Sequence, residues 1–317
     1  MPKLNRKTLL GIKSEASQNA GAALAVTDFL WVADATIDVK AEVLSRDYSR
    51  QYLEPVPHLV GKQSAEIKFK TELKGSGLAT TLVDTPFLAA LYACGLSATP
   101  IVASISAFRT SSDVVTGFYG PGKSAYIDLY KDGIKHGVSG AIGTFKIALE
   151  ASKIPYIEFT FSGLYTDPVD ATMPAATPNV SNAALVEDAG IGILNYVNPV
   201  ASKFEIDLGA KVVERPDVTA DNGLTGFLIT EYAPKGSFDP EAVTVATKNF
   251  MNQLMAGTTG TLSATIGTAG GTKVTVSAAC VAYSDVKYGN RNDILTYSIP
   301  FNLYSYAGGD GLTIKFQ

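Results

Sequence analysis

The stretch IDVKAEVLSRDYSRQYLEPVPHLVGKQSAEIKFKTELK, residues 37–74, decides the fold. It reads as strand, long loop, strand. In Ile37–Val43 the residues Ile37, Val39, Ala41 and Val43 alternate with Asp38, Lys40 and Glu42. In Ala65–Leu73 the residues Ala65, Ile67, Phe69 and Leu73 oppose Glu66, Lys68, Lys70 and Glu72. Strict period-two alternation predicts a sheet with one dry and one wet face. The wet face mixes both signs of charge, so neighbouring strands need not repel.

Working outward, the same grammar recurs. Leu44–Lys62 is a long loop in which Arg46, Asp47, Tyr48, Arg50 and Tyr52 mix charge with aromatics, the chemistry of subunit contacts. PFLAALYACG (Pro86–Gly95) carries Pro at its start and Gly at its end, which predicts a short buried helix. Ser124–Tyr130, the Asp132-Gly133 turn and Ile134–Ser139 predict a hairpin, and Gly143–Ala151 and Tyr156–Leu164 two more strands. Thr166–Val180, with three prolines among small residues, reads as a linker.

The second half repeats the order. Ser202–Arg215 alternates, with Phe204, Ile206 and Leu208 opposing Glu205, Asp207 and Lys211. Leu224–Tyr232 is its partner. Asp239-Pro240 predicts the cap and first turn of a helix over Glu241–Met255. Gly260–Thr265, Lys273–Ser284 and Ile294–Tyr304 close the chain as strands, with a turn at Tyr288–Asn290. The expected division is an arm at 1–20, a first domain at 21–168, a linker at 169–182 and a second domain at 183–317.

Composition bounds the function. The chain has 317 residues, 46% of them hydrophobic, enough for two packed domains of about 150. Residues 1–170 carry 17 basic and 17 acidic side chains, and the remainder 9 and 13, so no half is basic enough to grip nucleic acid. Cys94 and Cys280 lie in apolar settings and read as free thiols. The start, basic and then Ala/Gly-rich, does not fit a signal peptide, and no apolar run is long enough for a membrane span.

Catalytic signatures are weak. Gly117–Ser124 satisfies G-x-x-x-x-G-K-S/T, but the residues after it alternate as a strand, whereas phosphate binding needs a helix there. His58 and His136 have no ligand-spaced partners, and no cofactor, metal or catalytic residue is expected. The carboxylates of the alternating strands recur at every second residue, the pattern of a solvated sheet face.

KTLLGIKSEAS (Lys7–Ser17), IDVKAEVLSRDYSR (Ile37–Arg50), KTELKGSG (Lys70–Gly77), GLYTDPVDATMP (Gly163–Pro174) and FEIDLGAKVVERPDV (Phe204–Val218) are phrases through which the chain resembles the major tail tube proteins of long-tailed, non-contractile bacteriophages. The resemblance implies a mainly β fold (α+β) of two tandem β-sandwich domains, each with a flanking helix and an extended inner hairpin. It implies that Ile37–Val43 with Ala65–Leu73, and Phe204–Val212 with Leu224–Tyr232, line a channel. Asp38, Lys40, Glu42, Glu66, Lys68, Lys70, Glu72, Glu205, Asp207 and Lys211 would then face the lumen. The 44–62 loop and the arm would reach the next ring. Two domains per chain would make each ring a trimer with pseudo-sixfold symmetry. Implied partners are further copies of the chain, the tape measure, terminator and distal tail proteins, and DNA passing without specific binding. The implied location is the virion tail, after assembly in the host cytoplasm. A tail-tip or host-adhesion module, using Tyr48, Tyr52, Phe118 and Tyr119, is the alternative from another class.

Overall fold

The computed structural model describes residues 3, 4, 6–52, 54–75, 84–98, 104–106, 124–187, 189–268, 272–305 and 311–316. Most of the Gly117–Ser124 match, with Phe118 and Tyr119, lies outside them. The first half contains Thr8–Ser14 (β1), Phe29–Leu30 (β2), Ala33–Leu44 (β3), Leu59–Glu72 (β4), the helix Thr85–Ala93 (α1), Ser97–Ala98 (β5), Ser104–Ser106 (β6), Ala125–Lys131 (β7), Ile134–Glu150 (β8) and Tyr156–Asp170 (β9). The second contains Gly190–Ile193 (β10), Tyr196–Val197 (β11), Ala201–Asp207 (β12), Ala210–Pro216 (β13), Leu224–Tyr232 (β14), Lys235–Pro240 (β15), the helix Phe250–Met255 (α2), Gly260–Ile266 (β16), Val274–Tyr283 (β17), Lys287–Arg291 (β18), Ile294–Tyr304 (β19) and Thr313–Phe316 (β20). The fold is mainly β, as the alternation predicts.

One neighbour order occurs twice, antiparallel throughout. In the first half it is β2-β1-β7-β8-β9-β4-β3. In the second it is β11-β10-β16-β17-β19-β15-β12. The counterparts β3 and β12–β13 also share a phrase: Ile37-Asp38, Ala41 and Val43 align with Ile206-Asp207, Ala210 and Val212.

The two copies are joined edge to edge. The first part of β8 pairs with β7 and its last residues, Lys146–Glu150, with β12. The change of partner follows a bulge between Ser139 and Ile142. There Gly140 takes φ +60°, and its N–H turns from the ladder to the carboxylate of Glu15. β20 adds a second tie, pairing with both β17 and β6.

Each copy has a phenylalanine centre, Phe69, Phe145, Phe159 and Phe161 in the first and Phe204, Phe238, Phe250 and Phe301 in the second, all buried. Phe87 of α1 packs edge-on against both Phe159 and Phe316, so the first helix covers the first centre and meets the last strand. Most buried apolar residues of both halves form one cluster, and Ile142, Phe227 and Ile229 form a second, smaller one.

Several sequence expectations are corrected. Thr8–Ser14, placed in the arm, is a sheet strand, because Leu10 and Ile12 are fully buried and Glu15 anchors its end. Residues 134–150 are one strand, since the Gly140 bulge bends the chain without breaking it. Strand β9 runs to Asp170, taking in the start of the expected linker, and Pro168 sits where its pairing with β8 is irregular. Phe204–Val212 does not pair as a unit with Leu224–Tyr232. Gly209 (φ +59°) divides it into β12, which pairs with β15 and β8, and β13, which pairs with β14. Asp239 caps no helix; within a strand it accepts from the amides of Ser202 and Lys203 and pairs with Arg291. The helix starts only at Phe250, capped by Asn249, because the preceding Val243–Thr247 segment is rich in β-branched residues. Tyr288–Asn290 is strand, and the turn is Asn292-Asp293, both at positive φ, which suits a two-residue hairpin.

Candidate functional site: a charged sheet face and projecting hairpins

Cross-strand register sets which charges meet. Lys70 lies opposite Glu158, Glu158 opposite Lys146, Lys146 opposite Asp207, and Asp207 opposite Lys235. Directly opposed residues point to the same face of a sheet. One row therefore alternates positive and negative across β4, β9, β8, β12 and β15, and crosses from the first half into the second. Neighbouring rows carry Lys68, Glu72 and Glu205 on that face, and Lys40 and Asp38 continue it onto β3 beside Glu66.

Several of these charges are ion-paired. Glu66 bonds both Lys40 and Lys68, and the Lys40 hydrogen bond, then the Lys68 one, holds its carboxyl below the usual range. Lys70 reaches Asp34 at 3.4 Å and Lys74 reaches Glu72 at 3.2 Å. Glu205 takes Lys146 at 3.2 Å and Lys203 at 2.6 Å. Burial alone would raise Glu205, but those two lysine bonds outweigh it and the carboxyl sits low. The opposite face of β4 and β12 is dry, with Ile67, Phe69, Phe204 and Ile206 buried.

The register places Glu66, Lys68, Lys70, Glu72, Glu205 and Asp207 on one face and leaves Lys211 apart, on the separate β13–β14 hairpin opposite Glu231. Glu158, Lys146 and Lys235 complete the row and are absent from the sequence expectation. Glu158 and Lys146 alternate like the rest of β9 and β8, but only the pairing order shows that they lie between the two halves.

The expected dry face of β3 is corrected. Val39 and Val43 are 43% and 60% exposed, and Leu44, Leu59 and Val60 are exposed too. The outer half of the β3–β4 hairpin projects beyond the core, and among the described residues these apolar side chains stay exposed. Its connecting loop is exposed, with Arg46 stacked on Tyr48 at 5.4 Å and Arg50 bonded to the Glu54 carbonyl.

The second hairpin, β13–β14, is hydrogen-bonded as a two-stranded sheet. It leans on the first half through Phe227 and Ile229 packed on Ile142, and through Gln18 and Asn19, which donate to the Phe227 and Thr225 carbonyls. Lys62 of β4 meets Glu214 of β13 at 2.7 Å, so the two hairpins lie side by side. Asp217 ties the turn by accepting from the Thr225 and Thr219 hydroxyls and the Thr219 amide.

Among the described residues no three His, Cys, Asp or Glu side chains are grouped to hold a metal ion. No helix there is long and apolar enough to cross a membrane. Cys94 and Cys280 are both free thiols, the first buried and the second half-buried. What distinguishes the molecule is sheet surface: a charged face shared by both halves and hairpins with uncovered apolar residues.

The family described as phage tail tube protein matches residues 5–303. The chain belongs to that family. It is a structural subunit of a bacteriophage tail, and family membership implies assembly with itself and with other tail proteins. No curated protein matches the chain.

Proposed function

We propose that the chain forms the tail tube of a long-tailed, non-contractile bacteriophage as stacked rings of three copies, each copy supplying two tube units. The observation that carries this reading is the recurrence of one seven-strand order, each copy with its own hairpin. Two units per chain at pseudo-equivalent positions turn a sixfold ring into a threefold one, and ring closure would cover the open outer edge of β3. The proposed division is a first unit from the N-terminal region to about residue 168 and a second from about 183 onward.

The charged face lines the lumen. Its residues are Asp38, Lys40, Glu42, Glu66, Lys68, Lys70, Glu72, Glu205 and Asp207, joined by Lys146, Glu158 and Lys235. Charges that alternate in sign, many of them ion-paired, offer no run of cations to phosphate, so DNA passes without being held. The loop bearing Arg46, Asp47, Tyr48, Arg50 and Tyr52 contacts the adjacent ring, and tape measure, terminator and distal tail proteins bound the tube. Electron microscopy of the concentrated protein tests the reading: hollow tubes are expected, and a chain that remains a monomer beside empty-tailed virions would contradict it.

A further inference from the structure

The seam between the two halves is a template for a seam between copies. Strand β12 fills its outer edge with the tip of β8, Lys203 opposite Glu150 and Asp207 opposite Lys146. At that seam Phe204, Ile206, Ile147 and Leu149 are all buried. Its counterpart β3 pairs only with β4 among the described residues, and its outer edge is open. At the far end of the second half, β17 and β18 together run along β19 as β8 runs along β9. Strand β18 pairs only with β19 among the described residues, so the counterpart of the β8 tip is open as well.

The grooves match the edges. Beside the start of β12, the corresponding groove is lined by Leu149 of the β8 tip, Ala151 just beyond it and Ile191 of β10, and holds only about 150 Å³. Beside the start of β3, the groove bounded by Thr8 of β1, residues 32–36 and Lys131 is open, at about 660 Å³. The β18–β19 tip that would fill it carries Tyr288, Ile294 and Leu295, which are 65%, 48% and 54% exposed. Its Asp293 matches the cations Arg6 and Lys131 of the groove.

We infer that the β18–β19 tip of one copy docks against the outer edge and basal groove of β3 in the next, reproducing the β8–β12 seam head to tail. The inference rests on the ring reading above and names the surface that closes the ring. Each ring then has two kinds of seam, one built into every chain and one between chains. A contact that joins different patches on identical subunits closes only if the rotation fits, and the internal seam supplies that rotation.

The test places a photoreactive phenylalanine analogue at Tyr288 in the full chain and irradiates the assembled protein. Linkage of Tyr288 to residues 32–36 or 6–8 of another copy, ending at a covalent trimer, is the expected result. A second variant, Ile294→Asp with Leu295→Asp, changes two exposed side chains of the tip and leaves the Tyr288–Tyr297 stack in place. It should keep the thermal midpoint of the monomer and raise the critical concentration for assembly roughly tenfold or more. Tubes that form normally from that variant, or photolinks that join Tyr288 to another surface, would overturn the seam and leave the tube reading standing. A chain that forms neither rings nor tubes and gives no intermolecular link would overturn both.

Discussion

Lys146 of β8 lies directly opposite Asp207 of β12. That pairing makes the two halves of the chain a single charged sheet face, with Glu205 bonded to Lys146 from the adjoining row. The seam is electrostatically matched on one side and packed with Ile147, Leu149, Phe204 and Ile206 on the other. Its polar side therefore adjusts stability modestly, and its apolar side carries the larger share.

Lys146→Glu places a carboxylate among Glu158, Glu205 and Asp207. Lys146 is partly exposed, so the expected cost is only about 1 kcal/mol. A lowered denaturation midpoint is predicted, with Lys146→Met close to the parent chain. Equal midpoints for all three would show that the register does not bring these charges together.

Glu15 is buried and accepts from the Ser124 hydroxyl and the amides of Asn19, Gly21 and Gly140. Glu15→Ala leaves these donors without their acceptor, at a cost of about 3 kcal/mol. Hydrogen exchange should show the largest loss of protection in β1 and at the Gly140 bulge. Glu15→Gln keeps an acceptor oxygen and should lose less.

Gly209 holds φ +59°, and a Cβ there would lie 2.3 Å from the Ala233 carbonyl oxygen. Gly209→Val should cost about 2 kcal/mol or more and displace the β13–β14 hairpin from Ile142. Loss of protection in Phe227–Ile229 measures the displacement. Unchanged stability would mean that the break between β12 and β13 needs no glycine.

Asp217 has its pKa lowered to about 2, first by the Thr225 hydroxyl and then by the Thr219 amide and hydroxyl. A depressed carboxyl stabilises the turn fully above its ordinary value near ~3.9 and loses that contribution as pH falls through the folded value. Carboxyl NMR should therefore give a midpoint of about 2 for Asp217. The hairpin amides should begin to exchange faster only below about pH 4. A midpoint near the ordinary value would show that the threonines do not hold the charge.

Much of this was legible in the sequence. Alternation located β4, β12, β14 and β19, and Pro86 with Gly95 bracketed α1, because burial on one side writes itself into period two and the helix needs its stop signals locally. Three things were not legible. Strand partners across the halves, such as Lys146 with Asp207, depend on contacts about 60 residues apart that leave no local mark. The Asp239-Pro240 pair has the chemistry of a helix cap, and only the strand beside it, through Ser202 and Lys203, decides otherwise. The alternating apolar residues of β3 predict a dry face, yet Val39 and Val43 meet solvent in the single chain. Alternation marks a face as apolar, and whether that face is covered depends on how far the hairpin projects past the core, which the pattern does not carry.

The most direct measurement is the number of chains per ring in assembled tubes, from mass per unit length or native mass of released rings. Three copies of the 33.4 kDa chain, roughly 100 kDa per ring, is the predicted result. Six copies per ring would contradict the account, because each chain would then supply one tube unit and the repeated strand order would not be a duplicated tube unit.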